Sequence, residues 1–240
     1  MSAKTVSELV REDYRAAEVF KRWGINYCCG GNAPLEDVCR LRGFSQAAIE
    51  AELQDVQRRR SLPASIDFIN WPLPFLVDYI QHVHHGFARN AGMQLQQQLE
   101  SFVKGHIRKY PYLVEVQEAF GMLLAELLQH MSDEEENLFP YLRQLCGAYD
   151  NKDVYGKLFV RTLGRSLDTV PAGHRRIEAT VGQLRALTNG YGFSDGACTN
   201  HQVIYHRLRE FDEDLVQHMH LENNVLFPRA AEMEKELRAL

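Results

Sequence analysis

Twelve residues are written almost twice in this chain, QHMSDEEENLFP at 129–140 and QHMHLENNVLFP at 217–228. Seven of the twelve positions are identical, among them a His and, four residues on, a Glu. Imidazole nitrogen and carboxylate oxygen together form a donor set that suits iron. On a helix, four residues make about 400° of turn and about 6 Å of rise. His130 and Glu134, like His218 and Glu222, therefore point the same way from neighbouring turns and can take one metal from one helix.

Each pair interrupts an apolar stripe. Leu123, Leu127, His130, Glu134, Leu138 and Tyr141 follow helical spacing, as do Ile204, Leu208, Phe211, Leu215, His218, Glu222 and Leu226. A third stripe, Leu163, Leu167, Val170, His174, Ile177, Val181 and Leu184, carries a His alone. One such His–Glu pair would read as an i,i+4 ion pair on a bundle edge. Two copies on apolar stripes, each followed by LFP four residues after the Glu, favour a metal site, because an unpaired buried carboxylate costs several kcal/mol. His174 lies 44 residues after His130 and 44 before His218, as expected of similar helices meeting at one level. A fourth contribution comes from QHVHHGFAR at 81–89. Core periodicity over Leu73, Val77, Ile80, Phe87 and Ala91 puts His84 nearest the stripe, whereas spacing to His130 separates His84 and His85 poorly.

These side chains need long helices to position them. Four are expected, at about 73–103, 112–144, 152–189 and 200–238, separated by the turn-rich KGHIRKYP, CGAYDNK and NGYGFSDGACTN. Short connections favour an up-down-up-down four-helix bundle. Ahead of it, residues 1–60 read as a small helical domain with one helix ending at Gly24 and another starting at the N-cap Ser45. The prolines around 61–74 mark a linker, leaving 75–240 for the bundle. The β-branched alternation of strands is missing, so the fold class is all-α.

A net charge of -5 and one tight basic run, Arg58 to Arg60, argue against nucleic acid as the main partner. The charged N-terminus lacks the apolar core of a signal peptide, and no stretch of 18 apolar residues offers a membrane span. Five cysteines, at 28, 29, 39, 146 and 198, are too few and irregular for a disulfide scaffold. A reducing cytoplasm is expected. Cys28 and Cys29 are adjacent, so a disulfide between them would be strained. With Gly30 and Gly31 they could present thiolates in an exposed loop, or serve as small hydrophobes at a helix end. Cys39 is a candidate third thiol of the same domain, while Cys146 and Cys198 look incidental. His201 and His220 lie off the stripe and are expected at the surface.

The double HxxxE…LFP signature with intervening histidines resembles the hemerythrin-like di-iron bundle, and NYCCGG at 26–31 resembles the ScdA-type N-terminal domain. In this order they are similar to the RIC family (repair of iron centres) across essentially the whole chain. The resemblance implies two non-haem iron ions, oxo- or hydroxo- and carboxylate-bridged, held by His85, His130, Glu134, His174, His218 and Glu222. His85 is preferred to His84 because the family's first ligand is typically followed four residues on by Arg, here Arg89. Of about twelve positions on two octahedral irons, these groups and a bridge fill about ten, leaving roughly one open position per iron. Glu126, one turn before His130, is a candidate outer carboxylate or proton carrier. Cys28 and Cys29 are implied to receive or hand over iron or NO. The implied function is repair of iron–sulfur clusters damaged by nitrosative or oxidative stress, through iron delivery or NO handling. Damaged iron–sulfur proteins would be partners, NO or O2 small ligands, and a homodimer is left open. Alternatives are an NO-reducing enzyme and an O2 or NO sensor or carrier.

Overall fold

The computed structural model describes residues 4–13, 16–27, 31–58, 67–150, 156, 160–161 and 170–239. The chain divides into two compact units, one of residues 1–65 with 188–209 and one of 66–187 with 210–240. Among the described residues every regular element is helical, apart from an isolated bridge between Thr5 and Pro34.

In the first unit, helix boundaries follow local chemistry. Helix α1, Val6–Glu12, opens with a capping box: the Thr5 side chain accepts from Glu8 N–H while the Glu8 carboxylate accepts from Thr5 N–H. The single helix expected up to Gly24 is instead broken at Asp13, which is extended (φ -144°), so α2 is a separate helix, Ala16–Arg22. Helix α3, Leu35–Arg42, stops at Gly43, whose φ of 68° is cheap only for glycine. Helix α4, Gln46–Arg58, begins where Ser45 Oγ accepts from Ala48 N–H at 3.3 Å, as the N-cap reading requires. Val6, Val10, Phe20, Leu35 and Ile49 pack into this unit's core together with Cys39. Burial first, and then the charge of Glu50, pushes the Cys39 thiol up, which makes it an inert core thiol. Cys28 and Cys29 lie outside the described residues.

The second unit holds the long helices. Helix α5 covers 73–106 and α6 covers 113–150; α7 is Val170–Leu187, and α8 covers 199–239, its first residues belonging to the first unit. The third helix was expected from 152; Leu163, Leu167 and the side chain of Val170 lie outside the described residues. The start of α5 packs on the end of α6, and the ends of α6 and α8 pack together, the arrangement of an alternating bundle. Arg185 fastens α7 to α8 through a two-pronged pair with buried Asp212, at 2.6 Å on each arm.

Three of these helices are locally wound as π-helix: Ile80–His85 in α5, Glu134–Leu138 in α6 and Glu222–Leu226 in α8. The repeated proline accounts for two of them. Pro140 and Pro228 carry no N–H, and each ring presses on the carbonyl four residues back, which favours the wider turn. One extra residue is thereby turned inward, so Leu138 with Phe139 and Leu226 with Phe227 are all buried in one core cluster beside Leu76 and Ile80. The repeated LFP thus packs the end of the bundle below the two His–Glu pairs. In α5 no proline follows the π turn, and its effect there is to bury both His84 and His85.

Candidate metal centre

Three of the six polar side chains, His85, Glu134 and Glu222, lie in the π turns, and the other three lie in α-helix. His85 comes from α5, His130 and Glu134 from α6, His174 from α7, and His218 and Glu222 from α8. All six belong to the second unit. They form two groups, each compact enough for a single ion: His85, Glu134, His218 and Glu222, and His130, Glu134, His174 and Glu222. Both groups share both carboxylates.

The oxygens divide between the groups. Glu134 turns Oε2 toward His85 Nε2 (3.5 Å) and Oε1 toward His130 Nε2 (3.2 Å). Glu222 turns Oε1 toward His218 Nε2 (2.9 Å) and Oε2 toward His174 Nε2 (3.3 Å). Within each group two Nε2 atoms face one another, His85 with His218 at 3.1 Å and His130 with His174 at 2.9 Å. Both oxygens of Glu134 and Oε2 of Glu222 are buried without a hydrogen-bond partner. Converging imidazole nitrogens and orphaned carboxylate oxygens are unfavourable together unless a cation lies between them. The residues present fit a pair of metal ions bridged by two carboxylates.

Neighbours orient the ring nitrogens. His85 Nδ1–H donates to Glu135 Oε1 (2.7 Å), and Arg89 pairs with the same oxygen at 2.9 Å. His174 Nδ1–H donates to Asn223 Oδ1 at 2.8 Å. With the proton fixed on Nδ1, the Nε2 lone pair is presented to the site, the usual support for a metal-binding histidine.

Burial sets the charges. It drives His85 down to about 4, helped by the His218 charge, and drives His130 down to about 4 as well. Both rings are therefore neutral at physiological pH, ready to ligate. Burial and then the charge of Glu222 push Glu134 well above the usual carboxylate range. Burial acts on Glu222 in the same sense, but His218 and His174 outweigh it and hold Glu222 well below that range. For His174, burial is overcome by the facing Glu222 carboxylate, with Asn223 adding to it, and the ring's pKa is raised. Without a cation the site keeps one carboxylate charged and one protonated. Two adjacent buried carboxylates need positive charge between them to ionise together.

His84 is buried but takes no part in either group. Its Nδ1–H donates to Asp214 Oδ1 (3.0 Å), its ring stacks on His218 at 5.8 Å between centroids, and Tyr79 meets it edge-on. Glu126 is also outside the groups; it is half-buried on α6 and faces Arg176 at 3.8 Å. His220 is exposed as expected, but His201 is not at the surface: it is buried against the Tyr205 ring at 4.3 Å. At that level α8 is packed within the first unit, where Tyr27 reaches Asn200, so the bundle stripe does not govern burial. Glu135 and Asn223 were not singled out from the sequence, although each directly follows a shared Glu in its repeat.

The chain is similar to known proteins along most of its length. Residues 2–57 match the ScdA_N profile, described as a domain of unknown function (DUF542). Residues 76–158 and 165–240 match the hemerythrin HHE cation binding domain. The chain is 25% identical to the iron-sulfur cluster repair protein ScdA of Staphylococcus haemolyticus, over 92% of this chain and 95% of that protein. It is 29% identical to the iron-sulfur cluster repair protein YtfE of Yersinia pestis, over 90% of this chain and 91% of the relative. The Yersinia pseudotuberculosis protein of the same name is similar to the same extent, 29%.

Proposed function

We propose an iron–sulfur cluster repair function on one premise: the chain belongs to the hemerythrin HHE cation-binding family. Relatives that span about nine-tenths of the chain bear that function in their names. The observation that carries the reading is that two His–Glu groups share both of their carboxylates. We assign one iron to His85 and His218 and a second to His130 and His174, with Glu134 and Glu222 bridging.

Iron bound there supplies Lewis acidity and one-electron chemistry toward small ligands such as NO or O2. The chain's own residues do the rest. The apolar ends of the helices keep water out, while Glu135 and Asn223 hold two rings in the ligating orientation. Glu126 is assigned as an outer carboxylate on the turn before His130. Iron is also the cargo: clusters damaged by nitrosative or oxidative stress lose it, and this site returns it. Cys28 and Cys29, in a domain spanning 1–60 and joined to the bundle (75–240) through a linker at 61–74, are assigned the hand-over, since iron–sulfur chemistry uses thiolate ligands. Client iron–sulfur proteins in the cytoplasm are the partners.

The test is restoration of an NO-inactivated [4Fe–4S] enzyme under anaerobic conditions. Iron-loaded protein should restore cluster absorbance and enzyme activity; apoprotein and Glu222→Ala should not. Restoration no better than with the same amount of free ferrous iron would overturn the reading.

A further inference from the structure

The two metal positions are built by a repeat, yet the repeat differs at the one residue that supports a ligand from outside. The residue after the shared glutamate is Glu135 in the first copy and Asn223 in the second. Each reaches across to the neighbouring helix of its own repeat and accepts from a ligand's Nδ1–H: Glu135 from His85 at 2.7 Å, Asn223 from His174 at 2.8 Å. The contacts are equivalent in place and length, but one acceptor is a carboxylate and the other a neutral amide.

A carboxylate draws the Nδ1 proton more strongly than an amide does, so Glu135 makes His85 a stronger ligand at Nε2 than a neutral acceptor in its place would. Arg89 shares Glu135 Oε1 at 2.9 Å and moderates this effect. Its side chain is 40% exposed, so solvent screens its charge, while Glu135 is 19% exposed and the His85 ring is fully buried. Burial adds to the difference in the same direction. His85 and His218 are fully enclosed, with side chains 0% and 1% exposed, whereas His130 is 14% exposed.

We infer that the two positions are unequal by construction: the one at His85 and His218 retains its metal, and the one at His130 and His174 exchanges it. Glu135 and Asn223 are the positioning residues that set the difference. The inference rests on the two-metal reading above and adds which metal is the deliverable one. A repair protein built this way gives up one ion while the other keeps α5, α6 and α8 tied together.

The test is metal release rather than repair. Apoprotein is loaded with Zn2+, which has no redox chemistry to complicate the result, and challenged with a chromogenic chelator. Wild type should release its zinc in two phases of about one ion per chain each. Glu135→Gln keeps the shape and the hydrogen bond but removes the charge; it should speed the slow phase by about 10- to 100-fold and leave the fast phase in place. Asn223→Asp should slow the fast phase, a gain that poor folding cannot imitate. Two ions lost in a single phase, or a Glu135→Gln variant whose slow phase is unchanged, would overturn the inference and leave the two-metal reading standing. A total of one ion per chain would overturn both.

Discussion

The Nε2 atoms of His130 and His174 lie 2.9 Å apart, two ring nitrogens aimed at each other from different helices. Asn223 holds the Nδ1 proton of His174, so the His174 lone pair points inward. Two lone pairs at this distance repel unless a proton or a cation separates them. Burial holds His130 at about 4, so a separating proton would have to sit on His174, whose Nε2 also faces Glu222 Oε2 at 3.3 Å; a cation satisfies both contacts. Protein purified without added metal is accordingly expected to carry about two irons per chain, with a Mössbauer quadrupole doublet typical of non-haem iron in nitrogen and oxygen ligation. One zinc per chain and no iron would contradict the assignment.

His84 and His85 are adjacent and both buried, but only His85 joins a metal group. His85→Ala is therefore expected to lose at least one metal, while His84→Ala, which removes the contact with Asp214, should retain both. Glu222→Ala should lose both metals, since Glu222 belongs to both groups. Binding energy here is also folding energy. At free metal about 100 times Kd the gain is about 2.7 kcal/mol, a Tm rise of roughly 5–11 °C for a domain of this size. Metal analysis and scanning calorimetry read both effects. Iron loss in His84→Ala alone would reverse the assignment on α5.

Much of this site was legible because the repeat writes His and Glu at helical spacing on apolar stripes. His130, Glu134, His174, His218 and Glu222 follow from that spacing, and the structure gathers all five. The first helix was ambiguous for a physical reason. The π turn at Ile80–His85 breaks the 3.6-residue period that ranks His84 above His85, and no proline after it betrays the turn. Pro140 and Pro228 mark the other two π turns, yet their meaning appears only once the extra buried residues, Phe139 and Phe227, are seen. Glu135 and Asn223 were hidden because a residue next to a ligand lies about 100° away round the helix. It serves the neighbouring helix, and a pattern search along one face passes it by.

Glu134 should dominate the response of the apoprotein to pH. Burial and the charge of Glu222 raise its folded pKa well above the unfolded value of 4.5. Its contribution is thus fully present below 4.5 and is lost as pH rises toward the raised value, because the folded state keeps a proton the unfolded chain releases. Glu134→Gln removes this term. The Tm difference between apo Glu134→Gln and apo wild type should grow in favour of the variant as pH rises from 4.5. Metal binding to wild type should release the Glu134 proton, seen as a buffer-dependent heat in titration calorimetry that Glu134→Gln lacks. A constant Tm difference across that range would show that Glu134 is not the group responsible.

The thiols offer the cleanest separation of holding iron from handing it over. All six residues of the two metal groups come from the unit formed by 66–187 and 210–240, and none from the segment that carries Cys28 and Cys29. Replacing both cysteines with serine is therefore expected to leave iron content, the iron spectrum and metal-dependent Tm unchanged. Serine keeps the size of the side chain but removes the soft, ionisable sulfur that iron–sulfur chemistry uses. Restoration of an NO-damaged iron–sulfur enzyme should accordingly slow in the double variant, while chelator-driven release from the bundle stays at the wild-type rate. Repair at the wild-type rate would assign the thiols a structural role and leave delivery to the bundle alone.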